Sequence, residues 1–205
     1  PAGAPPSDRL DRMEREWVVL VDEENRELGR ALKSEVHHAT TPLHRAFSLF
    51  LFDRAGRTLV QRRAPGKATW PGIWSNSCCG HPAPGEATLD AVARRCREEL
   101  GAEPFGVWLA LPDFRYRAEW EGLVENEICP VAVAEADPAE IAPDPDEVAG
   151  HGWLPWERLL AELAARPEVW SPWCAEEARQ LEESSEFHAW RARLGHLICL
   201  GTPHH

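Results

Sequence analysis

The segment WPGIWSNSCCGHP, residues 70–82, sets adjacent thiols at Cys78 and Cys79 just ahead of His81, between turns rich in proline and glycine. On an extended chain, neighbouring side chains point to opposite faces and residues two apart share one. Cys79 and His81 are therefore expected to face one pocket, and Cys78 to turn away. A thiol whose ionisation is tuned toward neutrality can give or take a proton. A buried cysteine is more often inert packing, but the Gly, His and Pro around Cys79 set it apart from that reading. A second spacing lies in VENEI, residues 124–128. There Glu125 and Glu127 sit two apart on a strand-like run and share a face. Carboxylates side by side repel and need a cation or a shared proton, so the pair points to a metal. Taken alone, it would read as a solvent-facing strand.

These residues need strands and turns to hold them. WVVLVD (17–22) reads as a strand ending in the turn DEENRELG. RAFSLFLFD (45–53) and RTLVQRR (57–63) read as a hairpin around a glycine turn. FGVWLAL and NEICPVAVA are again strands. GEATLDAVARRCREELG is the strongest helix, with Leu89, Val92, Ala93, Cys96 and Leu100 at helical spacing and Gly101 as its stop. WLPWERLLAELAAR runs from a short strand into a helix. A final helix begins at Ser171 and Pro172. Strands flanked by a few helices predict one α/β (α+β) domain.

Bulk properties narrow the function. A net charge of -12 without a basic run argues against nucleic-acid or anionic-membrane partners. No run approaches the ~18 apolar residues of a membrane span. The N-terminal stretch has no apolar core of a signal peptide, and the six cysteines have no C-x-x-C pairing, so reduced cytosolic (cytoplasmic) thiols are expected. A phosphorylated substrate would need local cations or metal ions.

From Gly80 the chain runs five residues to Glu86, seven more to Arg94, then Arg95, Cys96, Arg97, Glu98, Glu99, Leu100 and Gly101. This resembles the Nudix signature, a loop–helix–loop whose carboxylates bind Mg²⁺ on a diphosphate. The signature has a glutamate where Arg95 stands, and a guanidinium is a poor neighbour for clustered divalent ions; ordinary Nudix hydrolysis of a diphosphate is the alternative this departure disfavours. Together with TWPGIWSNSCCGHP, the segments LHRAF (43–47), LVQRRA (59–64), PDFRYRA (112–118), VENEICPV (124–131), DEV (146–148) and SPW (171–173) resemble the type 1 isopentenyl-diphosphate isomerase family. The resemblance runs from about residue 17 to about residue 175 and implies a Nudix-like mixed sheet sandwiched between helices; the single domain is expected over residues 15–195, between a flexible leader (1–14) and a C-terminal tail (196–205).

It also implies roles. Isopentenyl and dimethylallyl diphosphate would interconvert through a tertiary carbocation, with Cys79 as acid/base on one face, Glu127 on the other, and Tyr116 relaying a proton near Glu127. His37, His44 and His81 would join Glu125 and Glu127 around Mn²⁺, Zn²⁺ or Mg²⁺. His37 is preferred to His38 because it keeps the family's seven-residue separation from His44. Glu99 and the Cys79 backbone carbonyl would hold a second Mg²⁺ on the diphosphate, with Lys33, Arg63 and Lys67 meeting the remaining phosphate charge. Trp173 would lie over the five-carbon unit and stabilise its cation. The protein is expected to act as a monomer or homodimer.

Overall fold

The computed structural model describes residues 16–194, in which the apolar runs form two mixed sheets. The first contains β1 (Trp17–Val21), β2 (Glu27–Leu32), β3 (His44–Arg45), β9 (Arg115–Trp120) and β10 (Leu123–Ile128), in the order β2-β1-β3-β10-β9. The second contains β4 (Phe47–Phe52), β5 (Arg57–Arg63), β8 (Phe105–Leu111), β11 (Val131–Glu135) and β12 (Val148–Pro155), in the order β12-β5-β4-β11-β8. Two short strands extend it: β6 (Trp74–Ser75) pairs with β5, and β7 (Cys78–Gly80) with β4. The helices are α1 (Lys33–Val36), α2 (Thr88–Leu100), α3 (Trp156–Ala165), α4 (Pro172–Glu183) and α5 (Ser185–Arg191).

Alternation along β4 explains the layering. Phe47, Leu49 and Leu51 pack with Ala91, Val92, Cys96 and Leu100 of α2. Phe50 and Phe52 face the other way, onto Trp156 and Leu159 of α3, Leu181 of α4 and Phe187 of α5. The second sheet is thus covered on both faces, which gives the mixed sheet between helices that the resemblance implied. Each buried Leu or Phe here contributes about 1.5–3 kcal/mol, so this sheet is the rigid base on which the chemistry rests.

The two sheets meet where two strands cross between them. β3 continues through Ala46 into β4, and β10 through Cys129 and Pro130 into β11. Ala46 N–H donates to Ile128 O at 2.9 Å and Ser48 N–H to Pro130 O at 3.1 Å, so the crossings run side by side. NEICPVAVA is therefore two strands rather than one. Pro130 has no N–H for a ladder and marks the change of sheet.

The expected final helix also divides. Ser184 is extended and its hydroxyl accepts from Phe187 N–H at 3.2 Å, capping α5 as a new helix. The turn after β1 is shorter than expected, because its second half is β2. Leu89, placed on the buried stripe of α2 by spacing, is instead 42% exposed in the first turn. Gly101 ends α2 in the left-handed region at φ 68°, where a Cβ would come within 2.8 Å of Ala142 O. The leader and tail expected at residues 1–14 and 196–205 lie outside the described residues, as does Cys199. Among the described residues, no helix is long and apolar enough to cross a membrane.

Candidate active site

Register sets the first group of residues. His44 on β3 lies opposite Glu127 on β10, and Glu127 lies opposite Tyr116 on β9. Residues directly opposite share a face, so the three form a row across the first sheet. Glu125 follows on the same face, two residues earlier. His37 stands just past α1, and His81 just past β7.

Donor atoms of His37, His44, His81 and Glu127 all lie within 4.8 Å of one another. Glu125 Oε2 is 2.9 Å from His37 Nε2, which brings in the fifth expected residue. Glu127 Oε1 is 3.3 Å from His44 Nε2 and 3.1 Å from His81 Nε2. His44 Nδ1 lies 2.9 Å from Pro42 O, where only a protonated nitrogen can bond, so its Nε2 lone pair faces the cluster. His38, the competitor of His37, turns into its own loop, where Nδ1 accepts from Thr40 N–H at 3.1 Å.

Buried polar atoms normally have partners, yet His37 Nε2, His44 Nε2 and Glu125 Oε2 are buried with no aligned hydrogen bond. Three imidazole nitrogens and two carboxylates suit a divalent metal of the Mn²⁺, Zn²⁺ or Mg²⁺ kind. Burial lowers the His81 pKa to about 4, leaving a neutral ligand. Burial alone would raise Glu127, but the neighbouring imidazoles of His44 and His81 outweigh it and hold the carboxyl well below its usual range.

The thiol belongs to the second sheet. Cys79 pairs with Ser48 of β4, and Cys78 with Leu49. Cys78 is fully buried on the α2 side, where its Sγ is 3.5 Å from Glu99 Oε2. Cys79 faces the α4 side, 3.2 Å from Asn76 Oδ1 and 3.4 Å from Ser48 Oγ. The two thiols thus point apart. Burial pushes the Cys79 thiol up to about 12, and the nearby Glu177 carboxyl adds to the rise. Trp173 is 3% exposed, with Tyr116 5.6 Å and Trp70 5.2 Å from its ring centroid. The Arg63 guanidinium is 5.5 Å from the same ring and donates to Thr69 O and Trp70 O.

A third group gathers at α2. Glu99 is 2% exposed and pairs with Arg95, one helical turn earlier. Arg95 also reaches Glu98 at 3.2 Å, and Glu16 and Glu147 at 3.4 Å each. Lys67 pairs with Glu147 and lies 3.9 Å from Glu99; Lys33 is 2.6 Å from Glu16. Lys33, Lys67 and Glu99 are therefore one continuous network, while Arg63 lies apart from it beside Trp173. Burial would raise the Glu99 pKa, but Arg95 and Lys67 bring it to about 2. Gly80 makes room at this point, because a Cβ there would meet Arg95 and Phe47 at 3.0 Å.

Several residues of the site carried no chemical signal in the sequence. Ser48 reads as one polar residue in an apolar strand, and Asn76 as a turn residue. Thr69, whose hydroxyl donates to Glu125 Oε1 at 2.7 Å, reads as loop. Glu16 and Glu147 are recruited by Arg95 from distant parts of the chain. Glu177 could have been found. It lies four residues after Trp173, hence on the same helix face, and it is fully buried.

A NUDIX domain model matches residues 42–174. Isopentenyl-diphosphate Delta-isomerase of Mycolicibacterium vanbaalenii is 53% identical over 174 residues, which is 84% of this chain and 95% of the relative. The enzyme of the same name from Kocuria rhizophila is 49% identical, over 80% of this chain and 92% of its own. The crystal structure of DR0079 from Deinococcus radiodurans superposes with a TM-score of 0.64 at 25% identity, covering 80% of this chain and 98% of that one. Signature helix, histidine–glutamate cluster and relatives agree, and the chain belongs to the isopentenyl-diphosphate Delta-isomerase family of NUDIX-domain proteins.

Proposed function

We propose that this protein interconverts isopentenyl and dimethylallyl diphosphate, with residues 15–195 acting as one catalytic domain. The reaction adds a proton at the terminal alkene carbon and removes one from C2, so atoms and electrons balance without a redox partner. The observation that carries the reading is the pairing of two proton-handling groups from different sheets around one aromatic floor. The Cys79 thiol reaches Trp173 through Asn76, and Glu127 reaches it through Tyr116.

Cys79 and Glu127 are the acid/base pair, one for each face of the C5 unit. Burial favours the protonated thiol at Cys79, and the His44 and His81 imidazoles favour the ionised carboxyl at Glu127, so one group is set to give a proton and the other to take one. Tyr116, opposite Glu127, keeps its phenol proton because burial and the Glu127 charge raise its pKa well above the usual value. It passes a proton at Glu127 rather than holding charge. Trp173 presents a ring face to the developing cation.

His37, His44, His81, Glu125 and Glu127 would hold the resident divalent ion, which supplies a fixed positive charge beside Glu127. At the phosphate end, Lys33, Lys67 and Arg95 are balanced by Glu16, Glu99 and Glu147, so the network offers little net positive charge. A diphosphate entering it would bring Mg²⁺, which Glu99 and the Cys79 carbonyl would hold, and Arg63, beside Trp173, would meet phosphate charge from that side. Arg95 stands where the Nudix signature has a glutamate, so one carboxylate of the hydrolytic metal cluster is missing, which favours isomerisation over hydrolysis. The protein is assigned to the cytoplasm, as a monomer or homodimer. The test is isopentenyl diphosphate with Mg²⁺ and Mn²⁺, followed by proton NMR. Dimethylallyl diphosphate without released phosphate supports the reading; phosphate release without isomerisation overturns it.

A further inference from the structure

Asn76 is fully buried between β6 and β7, and its amide leaves no freedom of assignment. Its nitrogen lies 3.2 Å from Leu49 O and 3.1 Å from Cys78 O, two carbonyls that can only accept. Its oxygen must then point the other way, where it meets Cys79 Sγ at 3.2 Å, Trp173 Nε1 at 3.2 Å and Ser75 Oγ at 2.7 Å. The indole N–H can only donate, which requires the same orientation. A carbonyl oxygen has two lone pairs, but Ser75 has a second partner in Ser171 Oγ at 2.8 Å. Three donors thus converge on the oxygen; the thiol also has Ser48 Oγ at 3.4 Å, and the indole N–H has the oxygen as its acceptor.

We propose that Asn76 is a positioning residue for the isomerisation, setting the Cys79 thiol and the Trp173 ring against each other through one acceptor oxygen. The inference rests on the isomerase reading above and adds a residue to it. Cys79 comes from a strand of the second sheet and Trp173 from α4, 94 residues further along the chain. Neither element alone fixes their separation. The amide does, because its other end is anchored to the backbone of β4 and β7. Proton transfer to or from a carbon under a stabilising ring tolerates little misplacement, and an error near 1 Å can cost about 10²-fold in rate. The hydrogen bonds of Asn76 run to Leu49, Cys78, Cys79, Trp173 and Ser75 and not to Lys33, Arg63 or Lys67, so its loss should bear on the reacting groups more than on phosphate binding.

The test compares Asn76→Ala with Ser77→Ala in the full-length, metal-loaded enzyme. Ser77 is equally buried in the same segment and makes two hydrogen bonds, to Leu51 N and Leu59 O, away from the site. Its loss therefore reports the cost of loosening the segment alone. For Asn76→Ala, kcat is expected to fall about 10²-fold with KM for isopentenyl diphosphate nearly unchanged; Ser77→Ala is expected to lower the melting temperature while keeping kcat. In a Trp173→Phe background, where the indole N–H is already gone, Asn76→Ala is expected to cost several-fold less than in the wild type. If the alanine variant does not fold, Asn76→Ser serves in the same comparison. Undiminished kcat in a folded Asn76 variant, equal loss in the Ser77 control, or effects that simply multiply with Trp173→Phe would overturn the assignment while leaving the isomerase reading intact. Absence of conversion by the unaltered enzyme would remove both.

Discussion

Replacing Trp173 separates stabilisation of a cation from simple enclosure of the substrate. Its ring is 3% exposed, bounded by Trp70 and Tyr116, and its N–H donates to Asn76 Oδ1 at 3.2 Å. A desolvated indole face is worth about 2 kcal/mol to a nearby cation, and the bond to Asn76 about 1 kcal/mol. Phenylalanine keeps a weaker ring and loses the bond, for a total near 2 kcal/mol, or about 30-fold in rate. Leucine loses both in full, near 3 kcal/mol, or about 150-fold. Turnover should therefore fall in the order Trp, Phe, Leu. Truncation also opens a cavity in the core, so melting temperatures must be measured and rates taken well below them. Substrate KM should move much less, because phosphate contacts hold the ground state. The deciding comparison is the inhibition constant of an ammonium analogue of the cation, which should weaken more than KM does across the series. If analogue and substrate weaken by the same factor, the reasoning is refuted and Trp173 is only a wall.

Other perturbations probe the remaining groups. Cys79→Ala should abolish isomerisation while Cys78→Ala, on the α2 face, keeps most of it; an alkylating substrate analogue followed by peptide mass analysis should label Cys79, and equal losses from both folded variants would contradict the assignment. His44→Ala should lose bound metal and activity together, as should His37→Ala, whereas His38→Ala should retain both by metal analysis of untagged protein; full metal content in the His44 variant would rule the cluster out. Glu177 has its pKa raised well above the usual carboxyl value by burial, with the Glu127 charge adding to the rise. Near pH 3 the group is protonated in folded and unfolded chains alike. As pH rises the unfolded chain ionises it freely and the folded chain does not, so stability falls. Glu177→Gln should therefore match wild type in melting temperature near pH 3 and exceed it increasingly toward pH 8; parallel melting curves across that range would contradict the buried, neutral carboxyl.

Much of this was legible in the sequence because local chemistry repeats in fixed steps. The two-residue period separated Cys78 from Cys79, and the structure sends them to opposite faces of the second sheet. The same period placed Glu125 beside Glu127. The 3.6-residue period and Gly101 located α2, although Leu89, in its first turn, is exposed rather than on the buried face. Pro130 was visible as a residue, but its consequence, a strand changing sheets, depends on which neighbour offers the next hydrogen bonds.

Only tertiary structure could decide the rest, because its causes are contacts between residues far apart in sequence. The side-by-side crossings at Ala46 and Cys129–Pro130 set the His44–Glu127–Tyr116 row of the first sheet against Cys79 on the second. Arg95 becomes a buried cation because Glu16, Glu99 and Glu147 close on it from three parts of the chain. Asn76 acquires its role because two backbone carbonyls take its nitrogen and turn its oxygen toward a thiol, an indole and the Ser75 hydroxyl. The sequence by itself determined which side chains were available and which way each turned from its own strand or helix, since those follow from backbone geometry within a few residues. Their distances and pKa values were decided by folding, since burial and charge partners exist only once the sheets and helices are packed together.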